Sequence, residues 1–163
     1  MMKEKVISLL EERGVKLKDI ADIVLEIQKP FNDKLTFKEC LTNVERVIEK
    51  REVQHLILTG LALDKLAEKG ELDEPIREII ARDEPLYGVD ETLAMGIATI
   101  YGTIGSTSFG YLDKMKLGII SKLNDKEKGV NTFLDDIVGG IASAAAARIA
   151  HAHEPGGSKE DIS

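Results

Sequence analysis

Tryptophan is missing from this chain, cysteine occurs once, proline four times, and aromatic residues make up only 4%. A core built from it must be aliphatic. The lone Cys40 excludes an intrachain disulfide and fits a reducing, cytoplasmic compartment. Basic residues are outnumbered, 22 Lys and Arg against 29 Asp and Glu, for a formal net charge of -7. With no Lys/Arg stripe and no aromatic–basic interleaving, a nucleic acid is not expected as a partner, and an anionic membrane surface would repel the chain. Long apolar runs are also lacking. The longest, residues 137–147, falls short of the roughly 18 to 20 residues that a bilayer-spanning helix requires, so no transmembrane segment is expected. The first 13 residues have neither the apolar run nor the small-residue cleavage site of a signal peptide.

What is present is helical periodicity. With 163 residues and 43% apolar content, the chain can bury a sizeable core in one domain, expected over residues 1–153. Residues 154–163 carry no apolar anchors and read as a flexible tail. Val6, Leu9 and Leu10 before Gly14, then Ile20, Ile23, Val24 and Ile27 before Pro30, mark two amphipathic helices with a Gly stop and a Pro stop. Thr36 and Glu39 have capping-box spacing and open a helix with Leu41, Val44, Val47 and Ile48 on one stripe. An apolar helix over 53–69 ends at Gly70. In it His55 and Asp64 are expected on a narrow polar face. A short helix follows Asp73 and Pro75 through Ile79 and Ile80, and 82–88 reads as a loop. Further helices are expected over about 90–101, 106–115 and 131–152, with 122–129 as a charged connector. No strand pattern stands out.

The last helix is unusual, because Gly139, Gly140, Ala142, Ser143 and Ala144 to Ala147 put small side chains on every face. Such a helix belongs at the centre of a bundle, with about five more amphipathic helices around it, so the fold class expected is all-α. Asp135 and Asp136 stand in this same apolar stretch. Burying a carboxylate without compensation costs on the order of several kcal/mol, and adjacent anions raise each other's pKa. A divalent cation offsets both costs; helix caps, a Lys or Arg partner, or plain exposure would also do so.

Other acids could complete a site. Asp90 and Glu91 open a helix, where capping and the helix dipole alone would explain them. Asp113 and Lys116 lie three apart on one helix face. Taken alone they read as a surface pair; taken with the other acids they offer a metal ligand and a cation for phosphate.

In order, these elements resemble the phosphatidylglycerophosphatase A family. Val89-Asp90-Glu91 is similar to its V-x-D-E element with one residue fewer, and Phe109 to Lys116 resembles its F-R-x-x-D-x-x-K-P element. Gly129 to Gly140 resembles its glycine-containing approach to D-D-I-V-A-G, here Asp135-Asp136-Ile137-Val138-Gly139-Gly140. The motifs span about 89–153. The family's arginine falls on Gly110 and its two prolines on Leu117 and Ile119, and its N-terminal glycine-rich element has no counterpart in order. The resemblance implies an all-helical fold and Mg2+-dependent hydrolysis of a phosphate monoester, a small molecule or a lipid phosphate such as phosphatidylglycerophosphate. It also implies that Asp90, Glu91, Asp113, Asp135 and Asp136 are the catalytic and metal-ligating acids, with Lys116 on the substrate phosphate.

Two readings compete with it: a catalytically silent helical interaction module, and an all-α nucleotide pyrophosphohydrolase, whose facing Glu-x-x-Glu pairs are not convincingly arranged here. A homo-oligomer stays open. Glycines 96, 102, 105 and 110 lack a Walker ending and read as packing or helix-break positions. Cys40 reads as a buried inert thiol, and His151 and His153, two apart, as a solvated helix end.

Overall fold

The computed structural model describes residues 1–125, 127 and 129–153; the expected tail lies outside them. Among these residues the chain is all helical. The order is α1 (Met2–Glu12), α2 (Leu17–Gln28), a 3-10 turn (Lys29–Phe31), α3 (Phe37–Ile48) and α4 (Arg51–Glu68). Then come α5 (Ile76–Ala81), α6 (Val89–Ala98), α7 (Gly105–Met115), α8 (Ile119–Leu123) and α9 (Leu134–Ala152).

Local signals explain several boundaries. Thr36 Oγ1 accepts from the Glu39 backbone N–H at 3.2 Å while Glu39 Oε2 accepts from that of Thr36 at 3.3 Å, the expected capping box of α3. Its buried stripe is Cys40, Val44, Val47 and Ile48, so Cys40 takes the inward place expected of Leu41, which is only half-buried. Gly14 and Gly70, both at positive φ, follow α1 and α4 where stops were expected.

α9 is the central element. Every residue from Leu134 to Ala147 is buried, and α6, α3, α7, α2, α8 and α4 all pack on it. Its small residues let backbones approach. A Cβ on Gly140 would sit 2.7 Å from the Ala94 carbonyl oxygen of α6, and one on Gly105 would collide with the Ala98 carbonyl. A larger side chain at Gly140 would push α6 away from α9, and one at Gly105 would push α7 away from the end of α6. Ile137 and Ile141 supply the apolar burial, each contributing about 1.5–3 kcal/mol.

The N-terminus of α9 is fastened by residues distant in sequence. Asp64 of α4 accepts hydrogen bonds from the backbone N–H groups of Phe133 (2.9 Å) and Leu134 (2.9 Å), satisfying two donors that a helix start leaves open. Asp64 is 0% exposed, not on a polar face as its sequence neighbours imply, whereas His55 is exposed as expected. Burial drives the Asp64 carboxyl up to about 7, against the lowering effect of the Phe133 and Leu134 N–H groups. Arg13 reaches from the end of α1 to Glu68, the Val130 carbonyl and Asn131 Oδ1, and Thr132 Oγ1 donates to the Ile80 carbonyl at 2.6 Å. The first turn of α9 is therefore held from α1, α4 and α5 at once.

Candidate active site

Asp135 and Asp136 occupy that first turn, each 6% exposed. They sit at the entry of the central helix rather than midway along it. The Asp136 N–H donates to Asp135 Oδ1 at 2.8 Å, so one carboxylate is fixed by the backbone of the other. α6 brings Asp90, 7% exposed, into hydrogen bonding with the Asp136 side chain. The N-cap of α6 is Gly88, in the left-handed region that glycine favours. Asp90 thus does not serve as the cap its position in sequence suggests; it turns inward to another carboxyl.

α7 supplies the cation. Lys116, at the C-cap of α7, places Nζ 3.0 Å from Asp113 Oδ1 and 3.9 Å from Asp135 Oδ2. The Asp113–Lys116 pair is partly exposed, worth little as a surface bridge. Its position matters more, because it carries the ammonium to the buried acids. Glu91, exposed beside Asp90, feels the charges of Asp113, Asp90 and Lys116. Three helices thus bring together the five acids and the lysine expected from sequence.

The electrostatics show how poorly these charges are compensated. Burial pushes Asp135 up, with Lys116 and the Asp136 N–H opposing and Asp83 and Asp90 adding to the rise. Asp136 rises further, first through burial, then through the Asp135 charge and the hydrogen bond with Asp90. Burial also raises Glu91, aided by Asp113 and Asp90. Burial alone would lower Lys116, but the Asp113 hydrogen bond and the Asp135 charge outweigh it and hold it above its ordinary value. One ammonium does not neutralise this many carboxylates.

Asp83 joins these acids without a signal in the sequence. It lies in the 82–88 loop at φ 52, and its charge reaches Asp64, Glu91 and Asp135. With Asp135, Asn131 and Thr132 it lines a crevice of about 20 Å³. An acid inside an expected surface loop gave no signal of this. Among the described residues, no group of three or more His, Cys, Asp or Glu side chains stands ready to hold a metal ion. The donor chemistry nevertheless suits a hard divalent cation: carboxylate oxygens only, with neither thiolate nor imidazole among them. Binding such an ion would require the carboxyl groups to turn toward it.

Fold and site together define an all-helical domain whose central helix opens at a cluster of buried carboxyl groups with one lysine. The family model for phosphatidylglycerophosphatase A matches residues 6–151, and the chain belongs to this family. The match takes in the N-terminal helices as well as the three motifs. The chain is 53% identical to the uncharacterized protein YutG of Bacillus subtilis, over 92% of this chain and 91% of that one. A Bacillus stearothermophilus protein of unknown function has the same fold, with a TM-score of 0.91 and 56% identity over 93% of this chain and 95% of that one. The low temperature requirement C protein of Listeria monocytogenes is equally similar in structure, at 0.91 and 53% identity over 93% and 96%. No helix among the described residues is long and apolar enough to cross a membrane.

Proposed function

We propose that this protein hydrolyses a phosphate monoester, a small ester or a lipid phosphate such as phosphatidylglycerophosphate, with Mg2+ as cofactor. The observation that carries this reading is the burial of Asp90, Asp135 and Asp136 against one another with a single ammonium nearby. A site of this kind stores electrostatic repulsion that a substrate-linked cation relieves.

Asp90, Asp135 and Asp136 would hold the ion, with Glu91 and Asp113 at its edge. Mg2+ would supply charge neutralisation at a phosphoryl oxygen and polarise the phosphorus toward attack. The remaining roles fall to the protein's own groups. Lys116, which pairs with Asp113, would meet the phosphoryl oxygens and offset the charge that builds on them. A carboxyl left off the ion, such as Glu91 at its edge, raised above its ordinary value by burial and by the Asp113 and Asp90 charges, would be free to exchange a proton. Such a carboxyl can accept the proton of an attacking water and return one to the leaving alcohol, so that water adds to phosphorus as the ester oxygen departs protonated. The buried walls of α6 and α9 exclude competing solvent from the acids.

The test is phosphate release from a panel of small and lipid phosphate monoesters, with Mg2+ and with chelator. Expected are Mg2+-dependent release and its loss in Asp135→Asn. Release that is unchanged in Asp135→Asn would overturn the assigned role, and the absence of release from every ester would leave a silent interaction module as the better reading. Calorimetric titration with Mg2+ separates the two further, because a pure scaffold gives no carboxylate-dependent heat.

A further inference from the structure

At the other end of α9, about 20 Å along the helix from Asp136, lies a cavity of about 490 Å³ between the start of α3 and the last turns of α9. This is the size range of small-molecule sites. In a chain of net charge -7, its walls carry Lys38, Arg46, Arg148 and His153 against one acid, Glu39. Glu39 is already engaged as the N3 partner of the α3 capping box, and Arg46 pairs with Glu49. With His153 counted as neutral, Lys38 and Arg148 remain without a counter-charge: no ion pair involves either among the described residues.

Arg148 is the telling residue. Half-buried, it donates from Nη1 to Asn43 Oδ1 at 2.6 Å and shares a hydrogen bond with Tyr101, both neutral groups, while its Nε is buried with no acceptor. A partly desolvated guanidinium with only neutral partners and an orphaned N–H lacks the counter-charge that such groups ordinarily find. The helix ends do not decide the sign. The first turn of α3 favours an anion and the last turn of α9 disfavours one, by similar amounts. The full charges of Arg148 and Lys38 remain, facing an apolar wall of Leu35, Ile149 and Ala152.

We propose that this cavity binds a small organic anion, its phosphate or carboxylate group at Arg148 and Lys38 and its apolar part against Leu35, Ile149 and Ala152. The site is separate from the acid cluster and does not rest on the hydrolase reading.

The full chain, labelled with nitrogen-15 and free of divalent cations, is titrated by NMR with inorganic phosphate and with n-butyl phosphate. Expected are saturating amide shifts over residues 38–46 and 148–153, with n-butyl phosphate binding about tenfold more tightly than phosphate through its burial of apolar surface. Lys38→Gln, at an exposed position that does not endanger the fold, weakens both by about tenfold. Asp135→Asn leaves the shifts at this end in place. Shifts confined to the surroundings of Lys116, equal affinity in Lys38→Gln, or shifts reproduced by sodium chloride at matched ionic strength would each overturn the proposal.

Discussion

Replacing Asp136 by Asn should make the protein more stable while abolishing hydrolysis. The side chain is 6% exposed and faces Asp135 and hydrogen-bonds Asp90, so its charge is opposed by both burial and neighbours. Its folded pKa is raised above the unfolded value, so the folded state binds the proton more tightly. Stability from this group is full at pH below about 4 and is lost progressively as pH rises toward the folded value. Each pKa unit of rise corresponds to about 1.4 kcal/mol, and relaxation and water entry keep the realised amount to about 2–4 kcal/mol at pH 8. Asn keeps the shape and cannot ionise. Urea unfolding at pH 8 without divalent cations should therefore show Asp136→Asn with a higher midpoint and an unchanged slope, and the gap from wild type should close near pH 4. Saturating Mg2+ should stabilise wild type, by about 2.7 kcal/mol at a hundredfold excess over its dissociation constant, and leave Asp136→Asn unmoved. A variant that is less stable than wild type at pH 8, or a difference independent of pH, would mean that Asp136 is not a buried, poorly compensated acid.

Asp64→Asn should flatten the pH dependence of stability between about pH 4 and 7, because the wild-type carboxyl, raised to about 7, keeps its proton in the fold across that window while the unfolded chain loses it, so that stability falls as pH rises; chemical unfolding at several pH values measures it. Gly140→Val should cost more than about 3 kcal/mol or prevent folding, since even a Cβ there meets the Ala94 carbonyl at 2.7 Å, whereas Gly110→Ala, with no atom within 4 Å of a new Cβ, should gain about 0.5–1 kcal/mol in helix propensity; thermal unfolding of both separates the cases. The Cys40 thiol, which burial pushes up to about 11, should react with a thiol reagent at pH 8 only at the rate of unfolding, as stopped-flow labelling would show.

Local chemistry makes much of the fold legible in the sequence. The Thr36–Glu39 box, the stops at Gly14 and Gly70 and the all-round small face of α9 are each local patterns, and each element stands where its pattern put it. α8 was not readable, because five residues over Ile119–Leu123 are too few to display a helical period. Asp64 misled for a different reason. Position on α4 says which side a residue faces but not what faces it, and the partner is the start of α9 some 69 residues away. The acids on α6, α7 and α9 were legible as candidates through their motifs, while their convergence is a tertiary fact. Asp83 carried no motif, and only the left-handed turn after α5 brings its charge toward Asp135.

The most direct measurement is the anomalous scattering of crystals soaked in Mn2+, used in place of Mg2+. A single strong peak is expected, bounded by Asp90, Asp135 and Asp136, with carboxylate oxygens turned onto it at distances near the roughly 2.0–2.1 Å of Mg2+ and the Asp90–Asp136 hydrogen bond broken. Saturating metal that leaves those two carboxyl groups bonded to each other, with ion density only on the outer surface, would contradict this expectation.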